Sequence, residues 1–276
     1  MAHEESWLDQ QYLPSLSVPN SSGIFERWRG RAADTRAKFK FKADLRYGPH
    51  DREVLDFYPA ENAHGCLIFI HGGYWTEFSK RETSWVADGF LGQGISVALI
   101  NYPLCSDVSI GAIGASCIAA FAHLYLSILS ASERRGVVVT GHSAGGYLAA
   151  AHMVQNWKDV NLPADPIAGV IALSGVFDVT PLMNTALNAD LRITAQSART
   201  LNLTTQMPRT KAQFTLAVGQ HESSEFHRQS SALADHWRQL GPEVLDVAGA
   251  NHFTIIDSLA IPGASLNRLA VAMARR

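Results

Sequence analysis

The stretch Val137-Val138-Val139-Thr140-Gly141-His142-Ser143-Ala144-Gly145-Gly146-Tyr147-Leu148-Ala149-Ala150 governs how the rest of the chain is read. Four β-favouring residues run into Gly141-His142-Ser143-Ala144-Gly145, and Tyr147-Leu148-Ala149-Ala150 begins a helix beyond it. G-x-S-x-G in that setting describes a sharp strand-to-helix turn that lifts a serine hydroxyl above the end of a sheet. The glycines leave the backbone room to fold that tightly. With 21 glycines in the chain the five-residue pattern alone is cheap. The strand before it and the helix after it make Ser143 a candidate nucleophile.

Working outward, short β-rich runs recur on both sides. Phe39 to Leu45 and Glu53 to Tyr58 flank Gly48-Pro49-His50-Asp51 and predict a hairpin. Cys66 to Ile70, Ser96 to Ile100, Val137 to Thr140, Gly169 to Leu173, Phe214 to Val218 and Val244 to Val247 follow. The later runs read as continuously apolar, as strands buried on both faces of a parallel sheet do. Ser79-Lys80-Arg81-Glu82 matches a capping box and predicts a helix to about Leu91. Segments near 110–130, 144–157, 224–240 and 264–275 also read as helices. Strands alternating with helices imply an α/β chain with a mostly parallel eight-stranded sheet and right-handed crossovers. Residues 1–276 are expected to form a single domain. Residues 1–38 are expected to pack on it as an N-terminal arm, and 175–212 to form a small cap insertion over the site.

Composition narrows the partners. Hydrophobic residues make up 47% and charged residues 17% of 276, an ordinary globular balance. A formal charge of -2 gives no electrostatic reason to expect nucleic acid or an anionic membrane. Cys66, Cys105 and Cys117 cannot all pair and include no CxxC, so free thiols and a reducing, cytoplasmic setting are expected. No secretory signal is visible at Met1 to Trp7. Between Asp107 and Glu133 only His123 could carry charge, but the stretch is rich in Gly, Ala and Ser and reads as a buried crossover helix. A small-molecule substrate is the expected partner, and a homodimer is left open.

A serine needs a base to take its proton. Asn251-His252-Phe253 follows the last strand run, which makes His252 the candidate. His123, His152 and His236 fall inside helical patterns. The acid should follow the penultimate strand, and Gly219-Gln220-His221-Glu222 selects Glu222 by its distance from the glycine. Asp178 and Glu225 are the alternatives, Asp178 as a turn cap and Glu225 as a first-turn acid behind a Ser cap. Donors for a developing oxyanion should follow the third strand run, where His71-Gly72-Gly73-Tyr74-Trp75 stands. Position points to the N–H groups of Gly73 and Tyr74, with that of Ala144 completing the set. His71 is expected to hold this loop in shape. Trp75, Tyr74 and Phe226 are candidates to stack on an aryl group, or else to pack the core.

The His71-Gly72-Gly73-Tyr74-Trp75 loop and Gly141 to Gly146 together resemble kynurenine formamidase (arylformamidase) and its esterase relatives. Further matches are Leu45-Arg46-Tyr47-Gly48, Leu55 to Pro59, Glu222 to Phe226 and Asn251 to Phe253. The resemblance implies an α/β-hydrolase fold, no metal or other cofactor, and a triad falling on Ser143, Glu222 and His252. It implies hydrolysis of N-formylkynurenine-type aryl formamides. A carboxylesterase for short acyl esters is the alternative, and a non-catalytic binding module on a hydrolase scaffold is the third reading. Glu222 departs from the aspartate expected in the family.

Overall fold

The computed structural model describes residues 7–105 and 107–275. Eight strands form one sheet: β1 (Lys42–Arg46), β2 (Val54–Tyr58), β3 (Gly65–Ile70), β4 (Ile95–Ile100), β5 (Val137–His142), β6 (Gly169–Leu173), β7 (Gln213–Gly219) and β8 (Glu243–Val247). Their order across the sheet is β1-β2-β4-β3-β5-β6-β7-β8. β1 and β2 form the expected hairpin, with Leu45 opposite Leu55, and β2 runs antiparallel to β4. Every later pairing is parallel.

Every residue of β2 to β6 is buried, as the continuous apolar runs predict. β8 differs. It is an edge strand, Val244 is 43% exposed, and Glu243 and Asp246 punctuate it with charge, a common protection against edge-to-edge pairing.

Helices cover both faces. An N-terminal group comprises α1 (Trp7–Tyr12), α2 (Pro14–Ser17) and α3 (Ser21–Lys38). The crossovers carry α4 (Ile110–Ser127) and α5 (Ala144–Ala151), and the 174–212 segment carries α6 (Asn188–Leu191) and α7 (Ala195–Leu201). α8 (Ser224–His236), α9 (Ile255–Ala260) and α10 (Ser265–Ala274) complete the set. α4 is long and apolar enough to cross a membrane, but Ile113, Cys117, Phe121 and Leu124 are wholly buried within the protein core. All three cysteines are buried free thiols.

The helix expected from Ser79 does not form. Glu82 Oε2 accepts the Ser79 N–H at 2.9 Å, so half of the capping box is present. The chain beyond it makes only 3₁₀ turns, Ser84–Gly89 and Leu91–Gln93. Trp85, Val86 and Ala87 are all fully buried, so the segment is enclosed on every side and follows its packing instead of a helical stripe.

A buried charge cluster locks the arm to this region. Lys80 Nζ, in a side chain 2% exposed, lies 2.6 Å from Asp44 Oδ1 and 2.7 Å from Asp56 Oδ1. Arg36 of α3 reaches the other Asp56 oxygen at 2.6 Å. The Asp56 side chain has no solvent exposure, so its charge depends on these partners. Lys80→Ala should therefore lower the unfolding free energy by about 3–5 kcal/mol, because it strands buried carboxylate charge. Urea denaturation checks this, with the exposed Lys158→Ala expected within about 0.5 kcal/mol of the parent.

Candidate active site

Ser143 sits between β5 and α5 with φ 56° and ψ −118°, a conformation that non-glycine residues rarely adopt. Strain of that kind costs about 1–3 kcal/mol and survives only where the surroundings hold it. Here the Ser143 N–H donates to the Leu173 carbonyl at 2.8 Å, and its own carbonyl accepts from Tyr147 at 3.1 Å. A side chain at Gly145 would place its Cβ 2.0 Å from the Ile70 carbonyl. The second glycine of the motif is thus a packing requirement: α5 lies directly against the end of β3.

His252 follows β8 and is 3% exposed. Its Nδ1 donates to Glu222 Oε2 at 2.6 Å. The other Glu222 oxygen accepts from the Gly219 N–H and from the Ser174 hydroxyl, both at 2.6 Å. The Glu222 side chain is fully buried. Of the three acids weighed from the sequence, Glu222 is the one hydrogen-bonded to His252. Asp178 caps a turn by accepting the Thr180 N–H at 3.0 Å. Glu225 holds Arg228 at 2.7 Å and Tyr12 at 2.5 Å, and its carboxyl lies below its ordinary value chiefly because of Arg228. Ser223 precedes α8 without capping it, and its hydroxyl donates instead to the Gln11 carbonyl at 2.6 Å.

Two further histidines are structural. His142 is buried, and its Nε2 donates to the His252 carbonyl at 2.6 Å, fixing the backbone beneath the imidazole. Desolvation holds His142 neutral, reinforced by the neighbouring His252. His71 donates from Nδ1 to the Gly72 carbonyl at 2.7 Å and stacks on Tyr102, and burial pushes its pKa down to about 3. The Tyr102 hydroxyl donates to both the His71 and Gly72 carbonyls. Sequence reasoning had no signal for Tyr102, which lies in the loop after β4.

The loop after β3 takes an unusual path. Gly73, Tyr74 and Trp75 have φ of 102°, 45° and 60°, three consecutive residues on the left-handed side. The Gly73 carbonyl accepts from both Thr76 and Glu77, and the Trp75 carbonyl accepts from Cys105 at 2.7 Å. Among the described residues, nothing accepts from the N–H groups of Gly73, Tyr74 or Ala144.

A cavity of about 130 Å³ opens over this geometry, and Ser143, His252, Gly72, Gly73 and Tyr74 all line it. Its walls are aromatic: Phe25 and Trp28 from α3, Phe78 from the loop after β3, and Phe253 beside His252. The Phe25 ring centroid is 5.1 Å from that of Phe78 and 4.9 Å from that of Phe253, both edge-on.

Two expectations change. Trp75 does not face the cavity. It is fully buried and meets Tyr147 edge-on at 5.5 Å, because the left-handed run turns its side chain into the core. Phe226 is 1% exposed and lies outside this cavity, with its ring 4.5 Å from that of His252. It therefore wedges the imidazole and leaves no face for substrate.

The wall also comes from elsewhere than expected. Of the 175–212 insertion only Leu187 lines the cavity, whereas the arm contributes Leu13, Pro14, Ser15, Phe25 and Trp28. The arm is tied down on several sides. The Tyr74 hydroxyl donates to the Tyr12 carbonyl, and the Ala186 N–H donates to Asp9 at 2.9 Å. The Tyr12 hydroxyl bonds Glu225 and accepts from Gln229 at 3.0 Å, and burial pushes its pKa up to about 12, with Glu225 adding to the rise. Among the described residues, no group of three or more His, Cys, Asp or Glu side chains is arranged to hold a metal ion.

Comparison with known proteins agrees with this architecture. The sequence is 28% identical to the kynurenine formamidase of Danio rerio, over 96% of this chain and 95% of that protein. It is 28% identical to the kynurenine formamidase of Salmo salar, over 82% of this chain and 80% of that one. A solved structure of a putative thioesterase from Silicibacter sp. TM1040 superposes with a TM-score of 0.87 at 29% identity, covering 98% of this chain and 99% of the other. Esterase B from Lactobacillus rhamnosis shares the fold, with a TM-score of 0.67 at 17% identity over 92% and 95% of the two chains. The model of the alpha/beta hydrolase family matches residues 67–270, from β3 into α10, and the chain belongs to that family.

Proposed function

We propose that this hydrolase acts through Ser143, in an acyl-enzyme mechanism, on small aryl formamides of the N-formylkynurenine type. The observation that carries the mechanism is the 2.6 Å bond from His252 Nδ1 to a Glu222 carboxylate with no solvent exposure. With Nδ1 donating, the imidazole presents an unprotonated Nε2 as base, and Glu222 stabilises the imidazolium when it forms. His252 removes the Ser143 proton as the hydroxyl oxygen attacks the acyl carbon. The carbonyl oxygen gains negative charge, and the unengaged N–H groups of Gly73, Tyr74 and Ala144 are its donors. Each such donor is typically worth about 2.7–4 kcal/mol of barrier. The imidazolium protonates the leaving arylamine as its bond to carbon breaks. Water, deprotonated by the same imidazole, then releases the acid and restores Ser143.

The aromatic walls of the cavity and the two kynurenine formamidase relatives favour an aryl formamide. The 29% identity to a putative thioesterase over nearly the whole chain favours a second reading, hydrolysis of a short acyl ester or thioester. A panel of N-formylkynurenine, short p-nitrophenyl esters and acyl thioesters separates them. The proposal expects the formamide to have the highest kcat/KM, and turnover confined to the esters or thioesters defeats the formamidase assignment.

Ser143→Ala should lower kcat by about six orders of magnitude and abolish labelling by a fluorophosphonate probe. Near-normal turnover in that variant sinks the mechanism. Glu222→Gln should lower kcat by about four orders of magnitude with its folded structure intact, whereas Asp178→Asn should stay within a few-fold of the parent. Equal losses in the two variants would remove Glu222 from the role of acid.

A further inference from the structure

A trans peptide group is planar, so its carbonyl and its N–H point in opposite directions. Each N–H proposed as an oxyanion donor is therefore aimed by whatever holds the carbonyl of the same peptide. The Ser143 carbonyl, which shares a peptide with the Ala144 N–H, accepts from the Tyr147 N–H at 3.1 Å. The Gly73 carbonyl, opposite the Tyr74 N–H, accepts from the N–H groups of Thr76 and Glu77 at 2.9 and 3.0 Å. Both of these holds are local turns. The Gly72 carbonyl, opposite the Gly73 N–H, is held by side chains instead: His71 Nδ1 at 2.7 Å and the Tyr102 hydroxyl at 3.2 Å. Glycine on either side leaves that peptide little steric preference, so hydrogen bonds must set its direction.

Tyr102 reaches this peptide from the loop after β4. It is fully buried, its ring stacks on His71 with centroids 4.2 Å apart, and its hydroxyl also donates to the His71 carbonyl at 2.9 Å. Burial raises its pKa well above the ordinary tyrosine value, so the hydroxyl keeps its proton and remains a donor. Arg52 pins the Tyr102 backbone, donating from Nε to its carbonyl at 2.8 Å. Three residues on, the Cys105 N–H holds the Trp75 carbonyl at 2.7 Å, so the two loops are fastened at both ends of residues 72–75. The held peptide lies against the nucleophile, since a Cβ on Gly72 would come within 3.2 Å of the Ser143 Cβ. Gly72 and Gly73 line the cavity, whereas Tyr102 stands behind them and does not.

We infer that Tyr102 is a positioning residue for the oxyanion hole: by holding the Gly72 carbonyl, its hydroxyl turns the Gly73 N–H towards the oxygen that gains charge. The inference rests on the reading of Ser143 as nucleophile and of Gly73 as a donor to the oxyanion. The substrate carbonyl is neutral when it binds, so a misdirected donor is felt chiefly once the oxygen becomes anionic. The effect therefore falls on kcat, and it falls on formamides and esters alike.

Tyr102→Phe keeps the ring and its stack on His71 and removes only the hydroxyl. Outright loss of an oxyanion donor costs about 10²–10³ in kcat, so a donor kept but misaimed should cost about tenfold, with KM within about twofold. The direct readout is a pair of inhibitors, an aryl trifluoromethyl ketone and the matching alcohol. With the ketone, the Ser143 oxygen adds to the carbonyl carbon, His252 takes the serine proton, and the former carbonyl oxygen becomes the anion. The alcohol only occupies the cavity. In Tyr102→Phe, Ki should rise about tenfold for the ketone and stay within about twofold for the alcohol. Tyr47→Phe removes a hydroxyl that donates to the Asn101 carbonyl at 2.5 Å, in the same loop as Tyr102, and should leave the ketone-to-alcohol ratio unchanged. A ratio that does not move in Tyr102→Phe overturns the inference, and so does an equal shift in Tyr47→Phe. Absence of a ketone adduct at Ser143 in the parent, read by fluorine NMR, defeats the mechanism and the inference with it. An adduct whose affinity ignores Tyr102 defeats the inference alone.

Discussion

Glu222 places a charge in the interior that only the assembled sheet can satisfy. Its two oxygens take hydrogen bonds from Gly219 at the end of β7, from Ser174 at the end of β6 and from His252 beyond β8. Three neighbouring parallel strands must therefore be in register before the carboxylate is paired. An unsatisfied carboxylate at that depth would cost several kcal/mol, so the ends of these strands have little freedom relative to one another. The geometry of the site and the register of the sheet are one constraint. Ser143 joins it through its N–H, which donates to Leu173 at the end of the same β6.

Around that fixed point the molecule spends backbone strain where chemistry is proposed. Ser143, Gly73, Tyr74 and Trp75 all lie at positive φ. Local turns at Gly73 and Ser143 contribute, and distant partners complete the hold. Trp75 is anchored in the core, the Tyr74 hydroxyl is tied to the Tyr12 carbonyl, and the Trp75 carbonyl takes the Cys105 N–H. The side chains and carbonyls of the loop after β3 are thus engaged elsewhere, while among the described residues the Gly73 and Tyr74 N–H groups have no acceptor. The same arrangement explains why an aromatic pair that looks equivalent in sequence divides its labour, with Tyr74 lining the cavity and Trp75 filling the core.

What the sequence disclosed followed from how local each signal is. The parallel sheet was legible because each buried strand is a short apolar run. Ser143 and His252 could be picked out as candidates because Ser143 follows such a run and His252 lies in the loop after the last strand. Glu222 could be ranked above Asp178 and Glu225 only by its spacing from Gly219, since all three acids have sound local explanations. The arm's part in the cavity was not legible: Leu13, Pro14, Phe25 and Trp28 carry no motif, and their partners lie far along the chain. The helix expected after Ser79 failed for a related reason, because enclosure by α3 and α9 outweighs a capping signal. Phe226 and Trp75 were read as surfaces for substrate because aromatic side chains in core and cavity look alike until burial is known.

The tether on Tyr12 also bears on the order in which the protein comes into being. Its hydroxyl pairs with Glu225 and Gln229, 213 and 217 residues further along the chain. The arm is synthesised before β7 and α8, yet its docking surface exists only once they have been made. Contacts of such separation carry a large loop-closure cost and form late. The strands can collapse around β3 to β5 while the arm is still unbound, and the cavity has no outer wall until it docks. Completion of the cavity is therefore a late event of folding: a segment made before β7 and α8 closes a wall that it can hold only through them.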